Sequence, residues 1–340
     1  MSFPGPLSLR RVAASIAAGA ALSGVLAGCG TSSSTFSGVV NISGSTTLLP
    51  FIGKVASEFA SSNTLARFDV QMAGTSDGFS QLCNGLTDVA GASSPMNATS
   101  AALCHDNGIS YVRLTVANDA IVVFTSPASH LPQCLTMSDL YALSGPESVG
   151  YTRWSDATRL ARTLGSPTQF LSAPLRVFSP ETGQGTLTSY QNLVIAPIAA
   201  RRGTSPLIRL DHTSEPSNDV MRNVVLQNPD AYAFLGYSTV AGWGTTVRPF
   251  AIDAGKGCQL PGEKEIAAGS YPLSRQLYVY VNMNRVRSNS TARAFVSYLV
   301  GGDVLDRDGA ATAIAPSPEQ IAASQSAWAS ALSGSTGASQ

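Results

Sequence analysis

The chain has 340 residues, 44% of them hydrophobic and 12% charged, with 21 basic residues against 21 acidic ones. That length suits two ordinary domains with sizeable cores. The neutral balance argues against a nucleic-acid partner, which needs a basic face. The scattered His105, His130 and His212, with no Cys-x-x-Cys, argue against zinc or any other metal site.

The first thirty residues read as a targeting segment. Arg10 and Arg11 form a basic start, and residues 12–28 are an apolar, Ala/Gly-rich run too short for a comfortable membrane span. The run ends at Leu26-Ala27-Gly28-Cys29, which resembles a bacterial lipobox. On that reading residues 1–28 are a lipoprotein signal peptide and Cys29 is the lipidated first residue of the mature protein. Its acyl chains then anchor it to a bacterial membrane, facing the periplasm or the cell exterior. Residues 29–38, rich in Ser, Thr and Gly, read as a flexible tether. Without Arg10 and Arg11, 19 of the 21 basic residues remain against 21 acidic ones, a net charge of −2. No second apolar run reaches membrane-spanning length.

Residues 39–42 read as a strand that leads into Ser43-Gly44-Ser45-Thr46-Thr47. Leu48, Phe51, Ile52, Val55 and Phe59 then recur at helical steps. A strand turning into a helix leaves the first helical N–H groups unpaired. Those groups, the helix dipole and the nearby hydroxyls favour an anion. A plain Ser/Thr cap is the simpler reading of one such turn. The arrangement recurs, however. Gly74-Thr75-Ser76-Asp77-Gly78 follows a strand-like run at 68–72 and precedes Phe79, Leu82 and Leu86. Gly183-Gln184-Gly185-Thr186 follows a run at 175–178 and opens a helical stretch at 187–195.

Strands and helices alternate elsewhere too. Residues 88–92 form a short strand ending in Ser93-Ser94-Pro95. Residues 110–117 and 120–125 are two β-rich runs, with a break at Asn118-Asp119. Residues 136–143 read as a capped helix, 174–178 as a strand, 218–228 as a helix and 231–237 as a buried strand. Residues 255–269 are loop-rich. Residues 275–281 alternate strongly and form a strand, and 291–300 form a helix. Such alternation predicts an α/β chain. Apart from Cys29, the cysteines are Cys83, Cys104, Cys134 and Cys258. An even number in an exported chain predicts disulfides, and four cysteines allow three pairings.

The order of these segments resembles the substrate-binding lipoproteins of bacterial phosphate ABC importers. These are a branch of the two-lobed, type II periplasmic binding proteins. The resemblance covers most of residues 39–300. It rests on 43–50, 74–78, 88–95, 183–186, 233–238 and 271–281, supported by 118–125, 135–143 and Trp154-Ser155-Asp156. It implies two α/β lobes joined by hinge strands, with the ligand in the cleft between them. Residues 39–124 plus 272–328 are the first lobe, 125–271 the second, and 329–340 a disordered tail. Each lobe then holds one cysteine pair, which favours Cys83–Cys104 and Cys134–Cys258.

The resemblance further implies inorganic phosphate or a similar oxyanion as ligand and ABC permease subunits as partners. It implies a monomer, no cofactor and no catalysis. The ligand contacts it implies are Ser45, Thr46, Thr47, Thr75, Ser76, Ser93, Ser94, Gly183, Gln184, Gly185 and Thr186. Two positions depart from the family. Ser94 stands where an Asp or Arg follows the serine, and Pro180 stands where the Arg of Arg-x-x-Gly-Ser-Gly-Thr belongs. Arginine supplies bidentate, charge-assisted contacts to phosphate oxygens, so these changes leave a neutral cleft. Arg113, Arg153 and Arg176 are candidate substitutes that read more simply as surface charges. An enzyme built on Ser43, Asp77, His105 and His212 lacks a Gly-x-Ser-x-Gly elbow and a histidine motif. The alternative within the fold is a diverged lipoprotein with a sensing or interaction role and altered anion binding.

Overall fold

Runs of β-branched and aromatic residues form the central strands Tyr111–Thr125, Ala231–Gly236 and Ser274–Asn282, and successive residues of the last two meet different core clusters. The computed structural model describes residues 36–182 and 184–334. The signal segment, Cys29 and Gly183 lie outside the described residues. In chain order the strands are β1 (Ser37–Gly44), β2 (Leu65–Gln71), β3 (Val89–Ala92), β4 (Tyr111–Thr125), β5 (Cys134–Thr136) and β6 (Arg176–Pro180). They continue with β7 (Thr213–Glu215), β8 (Ala231–Gly236), β9 (Arg248–Pro249), β10 (Ala251–Asp253) and β11 (Ser274–Asn282). Among the described residues the large sheet runs β2-β1-β3-β11-β4-β8-β6-β7. β9 also pairs with β4, and β5 and β10 form a separate parallel pair.

β1 lies parallel to both β2 and β3, whereas β11 enters antiparallel between β3 and β4. Parallel neighbours require crossovers, which helices supply. α1 (Leu49–Ser62) joins β1 to β2, and α2 (Thr75–Cys83) joins β2 to β3. On β11, Leu277, Val279 and Val281 face one core with Phe51, Phe59 and Phe295, while Tyr278 and Tyr280 face a second with Phe79 and Leu82. On β8, Tyr232 and Phe234 face one core, and Ala231, Ala233 and Leu235 face another. Each half of the sheet is thus covered on both sides, the arrangement of two α/β lobes. Burying one such aliphatic or aromatic side chain contributes about 1.5–3 kcal/mol.

Several elements differ from expectation. The break at Asn118-Asp119 does not exist: β4 is one strand of 15 residues. It pairs with β11 as far as Ala120 and with β8 from Ile121 onward. It therefore passes from one lobe into the other, and the change of partner falls ahead of residue 124. Asn118 and Asp119 are only 2% and 5% exposed. They remain in the strand because their side chains find partners. The Asn118 amide donates to Gln320 Oε1 at 2.9 Å and to the Ala315 carbonyl at 3.2 Å, and Asp119 accepts from Arg275.

β1 begins at Ser37, inside the expected tether, where Thr291 Oγ1 donates to the Ser37 carbonyl. The loop-rich stretch contains a short helix, Glu263–Ala267. Residues 329–333 belong to a helix, Pro318–Ser333, rather than to a disordered tail. That helix has Pro318 in its first turn and a reciprocal Ser317–Gln320 cap, and Trp328 and Ala331 are buried. No helix among the described residues is long and apolar enough to cross a membrane.

The four cysteines pair as favoured. Cys83–Cys104 joins α2 to the helix Ala98–Asp106, and Cys134–Cys258 joins β5 to the loop after β10.

Candidate functional site

Four turns build the site. β1 ends at Gly44, whose φ of +118° is open to glycine and strained for other residues. A Cβ on Gly44 would lie 2.0 Å from the Gly91 carbonyl oxygen, and a Cβ on Gly78 would lie 2.5 Å from Gly44 Cα. The end of β1, strand β3 and the first turn of α2 therefore pack backbone against backbone. Hydrogen bonds lock this contact: Ser45 N–H donates to the Gly91 carbonyl at 2.8 Å and Gly74 N–H to the Gly44 carbonyl at 2.9 Å. The close approach brings the first two Ser/Thr turns side by side.

After Gly44, residues Thr46–Leu48 form a 3-10 turn that continues into α1. Ser45 is fully buried, and its hydroxyl has no hydrogen-bond partner among the described residues. In the second turn, the first N–H bonded back into α2 is that of Gly78, to the Gly74 carbonyl. The N–H groups of Thr75, Ser76 and Asp77 precede that bond. Thr75 Oγ1 accepts from Ser93 N–H at 3.1 Å and shares a second hydrogen bond with Ser93 Oγ. This ties the end of β3, the third turn, to the start of α2.

The fourth turn comes from the other lobe. The helix Gly185–Tyr190 begins after Gln184, and Thr188 N–H is its first to bond back, to the Gln184 carbonyl. A Cβ on Gly185 would lie 2.9 Å from Thr47 Oγ1, 3.5 Å from Ser45 Oγ and 3.7 Å from Thr46 Oγ1. Three hydroxyls of the first lobe thus face the opening residue of a second-lobe helix. Gln184 and Thr186 are half-buried beside it.

Not every expected residue joins this group. Ser76 is exposed at the start of α2, and Ser94 is half-buried beyond the Thr75–Ser93 contact. Asp77 is exposed and accepts from Gln81. Arg113, exposed, lies over the Tyr278 ring, while Arg153 is exposed and donates to Ser172. Arg176 is exposed on β6. The imagined hydrolase residues do not assemble. The Ser43 hydroxyl is buried with no hydrogen-bond partner among the described residues, and the exposed His105 meets Asp106.

Sequence reasoning missed the charged pair nearest these turns. Arg275 on β11 and Asp119 on β4 stand opposite each other in the antiparallel register. Their side chains are 5% and 6% exposed, with Arg275 Nη2 at 2.6 Å and Nε at 3.1 Å from Asp119 Oδ2. Arg275 Nη1 donates to the Gly185 carbonyl at 3.3 Å and to Ser189 Oγ. The signal in the sequence was two charged residues inside apolar strand runs, one of them read as part of a break. Beside them the Tyr271 hydroxyl donates to the Ile121 carbonyl at 3.1 Å, at the point where β4 changes partner. Burial pushes that phenol well above its ordinary pKa, so it stays a donor.

A family model described as a PBP superfamily domain matches residues 30–303. Protein SphX of Synechocystis is 28% identical over 261 residues, covering 76% of this chain and 73% of that protein. The phosphate-binding protein PstS of Staphylococcus saprophyticus is 25% identical over 269 residues, 77% of this chain and 76% of its own. A crystal structure of a possible phosphate binding protein from Planctomyces limnophilus covers 87% of this chain and 99% of its own, with a TM-score of 0.68 and 27% identity. An ABC-type phosphate transport receptor from Vibrio cholerae shares the fold, with a TM-score of 0.62 at 20% identity over 79% of this chain and 98% of its own. The family match spans both lobes and all four turns of the site, and the chain belongs to the PBP superfamily.

Proposed function

We propose that this protein is an extracytoplasmic substrate-binding protein that captures inorganic phosphate, or a similar oxyanion, between its lobes and delivers it to an ABC importer. It is a carrier and not an enzyme. The observation that carries this reading is the buried, unpartnered Ser45 hydroxyl, set with Thr46 and Thr47 against Gly185 of the opposite lobe. Hydroxyls and helix-start N–H groups are donors suited to an anion. The names of the similar proteins support phosphate as that anion. The ligand set is Ser45, Thr46, Thr47, Thr75, Ser93, Gly183, Gln184, Gly185 and Thr186, with Ser76 and Ser94 at its margin. Cys29 carries the lipid anchor, and ABC permease subunits receive the closed, loaded form. The first lobe comprises residues 37–120 with 274–333, and the second comprises 121–273.

Ser94 and Pro180 favour a second reading within the same fold. With neutral residues at both positions, the anion's charge falls to hydroxyls and helix starts. A sensing or interaction role with weak or altered anion binding follows from that.

Thermal unfolding of the soluble form lacking residues 1–29 tests the assignment. Phosphate at a hundredfold over Kd adds about 2.7 kcal/mol of stability, seen as a higher Tm. Thr46→Val or Thr186→Val weakens binding by roughly 1–3 kcal/mol, because an acceptor on the ligand loses its donor. A Tm shift with sulfate alone, or none at millimolar phosphate, overturns the phosphate reading.

A further inference from the structure

We propose that Arg275 is a positioning residue that couples closure of the lobes to the second-lobe half of the site. This rests on the interlobe reading of the site given above. Arg275 and Asp119 both belong to the stretch where β11 pairs with β4. The next residue pair, Ser274 and Ala120, is the last before β4 turns to β8. The ion pair therefore sits at the hinge end of the first lobe's sheet. The helix Gly185–Tyr190 belongs to the other lobe, since Leu187 and Tyr190 are buried in its core.

The guanidinium is a rigid fork of donors. Asp119 Oδ2 takes Nε and Nη2, which fixes the plane of the group and aims Nη1 at the helix. Nη1 then holds the Gly185 carbonyl and Ser189 Oγ. Gly185 is also the residue that faces the hydroxyls of Ser45, Thr46 and Thr47. One residue thus receives the hinge arginine on its carbonyl and the first-lobe turn against its Cα. Moving the second lobe away leaves the Asp119 pair intact but strips Nη1 of both acceptors. In the open form water replaces both acceptors, and charge-assisted hydrogen bonds made in the dry, closed site are stronger than those to water, so Arg275 biases the lobes toward closure. Apparent affinity scales with the closed fraction.

Ser189→Ala isolates this effect, because it removes an acceptor on the helix and leaves the ion pair untouched. Arg275→Lys keeps the charge beside Asp119 without the fork. The double variant Asp119→Asn/Arg275→Gln removes the pair without leaving an unpaired buried charge. Small-angle scattering of the soluble protein without phosphate, and calorimetric titration with phosphate, read the outcome. The expected result is a larger radius of gyration for all three variants and a Kd for phosphate raised about tenfold, matching a tenfold smaller closed fraction. Wild-type scattering and Kd in Ser189→Ala and Arg275→Lys would overturn the proposal, as would a lowered Tm with unchanged scattering. If the wild type binds no phosphate, the phosphate reading fails, while the scattering comparison still decides the role of Arg275.

Discussion

Gly185→Val raises the Kd for phosphate by about a hundredfold, equivalent to about 2.8 kcal/mol. The position opens a helix, and its backbone conformation is one that any residue adopts. Replacing glycine in a helix by a residue of better propensity stabilises the ligand-free protein, if anything. The penalty falls on closure. The first carbon added would lie 2.9 Å from Thr47 Oγ1, with Ser45 Oγ and Thr46 Oγ1 close behind. Thr47 can rotate away from a single methyl, so Gly185→Ala is the milder variant. Valine adds two further methyl groups with a restricted χ1 against the fully buried Ser45. Titration calorimetry checks the affinity, and a Tm without ligand checks the fold. Unchanged affinity in Gly185→Val would mean that this contact between the lobes is no part of the bound form.

Removing the second disulfide, by Cys134→Ser with Cys258→Ser, costs about 5 kcal/mol of stability, against about 3 kcal/mol for the first pair. The difference follows from the length of chain each bond closes. Cys134 and Cys258 are separated by 124 positions, Cys83 and Cys104 by 21. The longer loop encloses β6, β7, β8, β9 and β10, most of the second lobe. Without the bond, the unfolded ensemble regains the freedom of that whole span. Urea unfolding followed by tryptophan fluorescence tests this, because Trp154 is fully buried in the same lobe. Equal losses for the two pairs would show that local contacts, not loop length, set the stabilisation.

Where strands and helices are specified locally, the sequence was legible. The strong alternation at 275–281 predicted β11 with an error of one residue at each end. Three of the four turns were legible as glycines and hydroxyls placed between a strand and a helix, while the end of β3 at Ser93 entered the site only through the family resemblance. Illegible were the features made by residues distant in the chain. Asn118 and Asp119 are ordinary turn formers. They sit inside a strand because Gln320 and Arg275 arrive from 202 and 156 positions away. The same distance hid the Arg275 contact with Gly185. It also hid the approach of Gly44 to Gly91 and Gly78, which lets the first two turns share one site. The helix Pro318–Ser333 is a different case. Its Ser317-Pro318 start and Gln320 were local signals, outweighed by the Ser/Gly-rich residues that follow.

The position of β11 has a consequence for how the chain is made. It is the last strand synthesised, yet it lies in the middle of the large sheet, between β3 and β4. Until residue 282 has emerged, β3 and β4 each present an unpaired edge toward the gap. Open edges of apolar strands recruit other chains, and pairing across such sequence separations is slow. The first lobe begins the chain but is among the last parts able to finish folding. A nascent chain must therefore be kept from its neighbours until almost all of it is present.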